Sequence, residues 1–222
     1  GMKRSGAEHR RSNVEMKQVL IINITRMGDL VQMGALLNRL QEEWPGVAVD
    51  LVVDRRFAPI AGLLKGLRDV IAFDFHTLID ESRAAVKDVT ALYRDVAVWA
   101  KPLLERRYNR VINLTFNQPS ALLAGYIGAS DIRGARSAWD GGMVVDNPWM
   151  AYFCDFHQFR RLNRFNLVDV YALGGSGPGA FSPLQLSIAE EARAWARQAL
   201  DEAPDWIAVQ AGASDSMKAW RP

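Results

Sequence analysis

Two short segments of this 222-residue sequence hold residues whose types and spacing suit chemistry. The first is Thr25-Arg26-Met27-Gly28-Asp29. It follows the apolar run Val19–Ile24 and precedes Leu30, Met33, Leu36, Leu37 and Leu40 at helical spacing. The local pattern is therefore strand, turn, helix. A glycine at position 28 lets the backbone turn sharply and lets a ligand come close to it. The start of the helix behind it favours negative charge. Asp29 then has two roles open to it. It suits an N-cap, its carboxylate accepting N–H groups of the first turn, and it suits a general base at the mouth of a cleft. Gly-x-Gly-x-x-Gly is absent, so the loop is no dinucleotide fingerprint.

The second segment is Gly212-Ala213-Ser214, after the apolar run Trp206–Gln210, with Lys218 and Trp220 following. Small residues expose backbone N–H groups, and a hydroxyl and an ammonium add donors, a set that can hold a diphosphate. An ordinary glycine-containing loop with a solvated lysine has the same composition. A third glycine-rich stretch, Gly174 to Gly179, has no strand before it and no long helix after it, so it reads as a linker. Cys154, the single cysteine, excludes an intrachain disulfide and fits a reducing, cytoplasmic compartment. Lying among aromatics, it reads as a small core residue sooner than a catalytic thiol.

The elements that must position these residues alternate along the chain. Apolar, β-branched runs at 19–24, 47–53, 69–73, 110–114 and 206–210 read as strands, with a brief extended piece at 131–134. Helical patterns fall at 30–44, 57–64, 86–107, 119–127, 166–173 and 188–203. The stretch 136–166 shows no clear period and reads as an irregular excursion. This alternation predicts an α/β fold: a Rossmann-like open parallel sheet with helices on both faces. Ligands in such sheets bind beyond the carboxyl ends of the strands, where the first loop must lie. The expected organisation is a tag remnant and mobile leader over 1–16, a Rossmann-like domain over 17–180, and a linker helix with the beginning of a second domain over 181–222.

Composition narrows the function. Hydrophobic residues at 49% allow a sizeable core, and a net charge of +2 leaves no electrostatic footprint for nucleic acid. No segment approaches the 18 or so uncharged apolar residues that a membrane span needs. The basic leader reads as a solvated tail, with contact to an anionic membrane surface as the other reading.

Taken together, the segments resemble glycosyltransferase family 9, the bacterial lipopolysaccharide heptosyltransferases. The resemblance is carried by Val19–Val31 with the helix ending Trp44-Pro45-Gly46, by Val49–Val53 with Phe57–Ile60, by Tyr108–Leu114 with Pro119–Ala124 and Ile127–Ala129, and by Ile207–Ser214 with Lys218–Pro222. It implies a GT-B architecture, two Rossmann-like domains across a cleft, the first binding the acceptor and the second an ADP-sugar donor. It implies inverting transfer of heptose with no required metal and no organic cofactor. Asp29 matches the family's presumed base. Lys218 matches its donor-phosphate lysine and Ser214 the neighbouring hydroxyl, with Gly212 and Ala213 in the same loop. Thr25, Arg26, Met27, Gly28, Asn117, Gln118 and Ser120 are the expected acceptor-side residues, and Arg55 and Arg56 also lie near strand ends. The implied partners are a nucleotide-sugar donor and a lipid-linked saccharide acceptor, with peripheral contact at the inner membrane and no nucleic acid. The family pattern continues well past Trp220, so most of the donor pocket is expected outside this sequence. A noncatalytic glycan- or protein-binding module and a different Rossmann-like enzyme are the competing readings.

Overall fold

A computed structural model describes residues 16–24, 26–75, 89–155, 158, 161–179, 183–200 and 207–212. The chain divides into two compact units, Gly1–Ser187 and Ile188–Pro222.

In the first unit, β1 (Gln18–Ile22), β2 (Ala48–Asp54), β3 (Asp69–Phe73), β4 (Arg110–Asn113), β5 (Asp131–Ser137) and β6 (Met143–Asp146) form one sheet in the order β3-β2-β1-β4-β5-β6. All pairings are parallel except β5 with β6. Every residue of β2 and all of β1 after Gln18 are buried, as expected for strands covered on both faces. Alternation divides them between two cores. Val19, Ile21, Val49, Leu51 and Val53 face one side. There they meet α1 (Met27–Gln32), α2 (Gly34–Glu43), α3 (Ala58–Ala61), α6 (Pro148–Asp155) and α7 (Leu167–Gly175). Leu20, Ile22 and Val52 face the other side, against α4 (Val89–Glu105) and α5 (Gln118–Ile127). Doubly covered parallel strands and helices on both faces are the architecture the sequence predicts.

Several expectations change in detail. The helix expected over 30–44 is two, α1 and α2, divided at Met33, and Gly34 beside the break weakens helix propensity there. The stretch 136–166 is more regular than expected. β5 runs to Ser137, turns through Trp139-Asp140-Gly141-Gly142 and returns as β6, after which α6 begins. The Asp140 carboxylate accepts the Gly142 N–H at 2.9 Å, and Gly141 takes a positive φ of 83°. An Asp-Gly turn of this kind is a hairpin signal.

The first glycines of the Gly174 to Gly179 stretch are not a linker either. They end α7, and their lack of a side chain is what lets it dock. A Cβ at Gly174 would lie 2.6 Å from Met150 Cε, and one at Gly175 would lie 2.5 Å from Leu36 Cδ1. Residues 183–187 stay with the first unit, where Ser187 N–H bonds the Leu63 carbonyl at 2.7 Å.

In the second unit, α8 (Glu190–Leu200) forms as expected. The strand expected over 206–210 is not seen in its described part: residues 207–212 are exposed and irregular. Ile207 and Val209 are apolar and β-branched, but a strand needs a neighbour to take its N–H and C=O groups. Among the described residues none pairs with them. No helix of the described residues is long and apolar enough to cross a membrane.

The amino ends of the strands carry ion networks. Asp50, fully buried, accepts from Arg68 Nε at 2.8 Å, Arg106 at 2.6 Å and the Tyr108 hydroxyl at 2.7 Å. Burial alone would raise this carboxyl, and the bonds from Arg68, Tyr108 and Arg106 more than reverse it, so it lies below the usual carboxylate range. A carboxyl depressed by folding contributes stability above its unfolded pKa of about 3.9, and that contribution disappears as pH falls through the lower folded value. The urea midpoint of the chain should therefore drop below about pH 4, and Asp50→Asn should remove part of that drop. Equal acid sensitivity in the two proteins would place the effect elsewhere.

Candidate functional site

The strand order reverses at one place. From β1 the chain builds outward through β2 to β3, then returns to add β4, β5 and β6 on the other side. β1 and β4 are therefore neighbours whose following loops diverge to opposite faces, which opens a crevice at their carboxyl ends. The loop after β1 leads into α1 and carries Asp29. The loop after β4 leads into α5 and carries Asn117 and Gln118.

Asp29 is the third residue of α1, not its N-cap. Arg26 holds the cap position with extended backbone and no side-chain cap bond. The cap expectation is thus corrected by one helical turn, while the carboxylate stays within reach of the positive end of the helix. Asp29 is half-buried, and Arg26, Met27 and Gly28 beside it are exposed. A Cβ built on Gly28 would meet nothing nearer than Gln32 Nε2 at 4.0 Å, so the backbone beside Asp29 is approachable. Thr25 lies outside the described residues.

The two loops are tied together from below. The Ile24 N–H donates to Thr115 Oγ1 at 3.1 Å, and the Thr115 N–H donates to Asn113 Oδ1 at 3.0 Å. Asn113 Nδ2 bonds Ser120 Oγ at 3.1 Å and the Ala135 carbonyl at 2.7 Å. Ser120 is therefore a correction to the expected acceptor contacts. It is fully buried, and its hydroxyl donates within the loop, with the Thr115 carbonyl at 2.7 Å and the Asn117 carbonyl at 3.0 Å in reach. Asn117 caps α5, its side-chain oxygen accepting the Ser120 N–H at 2.9 Å. Gln118 is exposed and donates to the Gly141 carbonyl at 3.2 Å, which links this loop to the β5–β6 turn.

Composition and motif reading passed over three buried polar residues here. Asn23, just past β1 and before the buried Ile24, is fully buried, with Nδ2 on Met33 Sδ at 3.7 Å and Oδ1 without a hydrogen-bond partner among the described residues. Asp54 ends β2. Its Oδ1 accepts from the Arg56 backbone at 3.0 Å and side chain at 2.7 Å, and its Oδ2 has no such partner. Each is a polar residue set against an apolar run at the carboxyl end of a strand, which is the signal that marks them.

Tyr171 of α7 is the third, fully buried, its hydroxyl likewise unpartnered. Burial first, then the charge of Asp29, pushes this hydroxyl well above its usual range, with Arg26 acting in the opposite sense. Cys154 is half-buried. Its thiol is raised by burial and by Asp155, the reverse of an activated nucleophile.

Of the donor-side residues, Gly212 is exposed in the second unit. Ala213, Ser214 and Lys218 lie outside the described residues. A groove of about 460 Å³ runs between Gly125–Ile132 and Arg136–Asp146, and includes none of the Asp29 or Asn117 loop residues.

No family model and no curated protein matches the sequence. Solved structures do match in fold. A glycosyl transferase family 9 structure from Veillonella parvula DSM 2008 aligns with a TM-score of 0.62 at 16% identity, over 92% of this chain and 56% of its own. The Escherichia coli heptosyltransferase WaaC, solved with ADP-2-deoxy-2-fluoro heptose, aligns at 0.51 and 21%, over 73% and 50%. The E. coli ADP-heptose lipopolysaccharide heptosyltransferase II aligns at 0.51 and 17%, over 85% and 52%. This chain thus has the fold of these glycosyltransferase structures and spans about half their length.

Proposed function

We propose that this chain is the acceptor-side part of an inverting glycosyltransferase that moves heptose from ADP-heptose to a saccharide of the lipopolysaccharide core. The observation that carries this reading is the position of Asp29, half-buried with open backbone beside it, at the crevice where the strand order reverses. The fold likeness to family 9 structures, one of them holding an ADP-heptose analogue, supports it.

The chemistry asked of the chain is small. The acceptor hydroxyl loses its proton to Asp29 as its oxygen attacks the anomeric carbon from the face opposite the leaving group. The departing ADP gains negative charge, which the Gly212-Ala213-Ser214 backbone and Lys218 are proposed to stabilise. A single base suffices because the diphosphate already activates the donor. No metal or organic cofactor enters the step, so transfer should be unchanged in EDTA. The proposed setting is the cytoplasmic face of the inner membrane, where a lipid-linked acceptor is presented.

Calorimetric titration of the complete protein with ADP-heptose and with UDP- and GDP-sugars tests the reading. ADP-heptose is expected to bind at least about tenfold more tightly, a difference of about 1.4 kcal/mol. Absence of nucleotide-sugar binding, or preferential binding of NAD, would overturn it.

A further inference from the structure

Two large apolar side chains of the first unit project into water from connections between elements. Trp139, in the turn between β5 and β6, is 99% exposed, and Leu162, between α6 and α7, is 74% exposed. A wholly solvated indole keeps a large apolar area in water, and such residues mark a contact surface.

Both lie at one end of the sheet. β5 reaches its carboxyl end at Ser137, and Trp139 follows directly. α6 and α7 run antiparallel, since Met150 lies against Gly174 and Phe153 against Tyr171. Phe153 also packs on Phe116, in the loop after β4, with ring centroids 4.7 Å apart. The segment joining α6 to α7 therefore lies at the carboxyl end as well, the end that carries Asp29.

That segment is held so that its side chains point outward. The Tyr152 hydroxyl donates to Asn163 Oδ1, which also accepts the Phe165 N–H at 3.0 Å, and Asn163 Nδ2 donates to the Phe165 carbonyl at 2.8 Å. The Phe165 ring sits edge-on to Trp149 and Tyr152, at 5.0 and 5.8 Å between centroids. Leu162 and the neighbouring Arg161 and Arg164 are left exposed, and neither guanidinium has an ion-pair partner among the described residues. From Pro148 to Asn166 the sequence carries Arg160, Arg161 and Arg164 against Asp155 alone. At the hairpin, the Asp140 carboxylate is turned onto the Gly142 N–H. Apolar tips beside unpaired cations complement an anionic bilayer, whose headgroups take guanidiniums and whose interface takes indole rings.

We propose that Trp139, Leu162, Arg161 and Arg164 form a docking face for anionic phospholipid bilayers, which turns the crevice of Asp29 toward the membrane. The face stands on exposure and charge. Its use, to meet a lipid-linked acceptor, rests on the glycosyl-transfer reading above.

The test is sedimentation of the complete protein with vesicles of phosphatidylcholine alone and of phosphatidylcholine mixed with phosphatidylglycerol. Binding is expected to the mixed vesicles and should weaken as salt rises, because exposed charges are screened. Arg161→Gln with Arg164→Gln should weaken it roughly 10- to 30-fold. Trp139→Ser with Leu162→Ser should weaken it about tenfold. All four side chains are exposed, so the melting temperature and transfer to a lipid-free core saccharide should be retained. Brominated phospholipid should quench tryptophan emission less in Trp139→Phe than in the parent. Absence of vesicle binding, binding indifferent to phosphatidylglycerol, or equal binding by the parent and both double variants would overturn the proposal. An indole already covered by the remainder of the protein gives the first of these results, with Trp139 emission resistant to acrylamide. Transfer without vesicle binding would refute the face and leave the glycosyl-transfer reading standing. Vesicle binding that the variants lose, with no sugar transfer by any of the proteins, would support the face and refute that reading.

Discussion

Asp29→Asn in the complete protein is expected to lower sugar transfer by roughly 10²–10⁴-fold, the usual contribution of a general base. The substitution keeps the size and an oxygen acceptor while removing the capacity to take a proton, so the loss should fall on kcat. Binding of the nucleotide sugar, measured by titration, should be unchanged. The fold should hardly notice. Asp29 is the third residue of α1 and is not its cap, and its charge acts on the helix start through the dipole, about 0.3–1 kcal/mol. A rival account, in which this carboxylate merely begins a helix, predicts the same small change in stability with transfer intact. Measured kcat for Asp29→Asn against the parent decides between them.

Gly134→Ala is expected to be strongly destabilising, costing about 4 kcal/mol and lowering Tm by roughly 10 °C. Gly134 sits within β5, paired with Asn113 of β4, at a φ of 94°. A Cβ there would lie 2.0 Å from the Asn113 carbonyl oxygen, which is backbone and cannot swing aside. Left-handed strain and the clash therefore add, and β4 and β5 must separate or bend. Gly141→Ala is the control. Its φ of 83° is similar, but nothing lies within 4 Å of the added carbon, so only the conformational strain of about 1 kcal/mol applies. Thermal unfolding of the two variants separates these contributions, and equal losses would refute the clash. Asn113 also anchors Ser120 and Thr115 beneath the crevice, so Gly134→Ala should disturb the loop of Asn117 as well.

Much of this molecule can be read in the order of its residues. Runs such as Val19–Ile22 are apolar throughout, and only a strand covered on both faces calls for that. Asp29 follows such a run at a chain reversal, and its place at a carboxyl end follows from the β/α alternation alone. The hairpin of β5 and β6 was harder to see. β6 has only four residues at the sheet edge, two of them exposed, and so gives no clean alternation. Ser120 misled for a different reason. A serine near a strand end has the composition of a binding residue, and only the packing of α5 on β4 shows its hydroxyl turned inward. Gly174 and Gly175 have the composition of a flexible joint, yet their role depends on Met150 and Leu36, distant along the chain.

One further consequence concerns how α7 is held. Its last carbonyls are gripped by two arginines: Arg110, sandwiched against Trp44 and bonded to Glu43 and Asp131, reaches Gly175, while Arg133 reaches Gly174 and Ser176. The helix is pinned at its tail, and Tyr171 lies about one turn ahead of the pin. Adding or deleting one residue between the two would swing the phenol by about 100° around the helix axis. Length variation in descendants of this sequence should thus be tolerated past Ser176 and excluded from the turn before it.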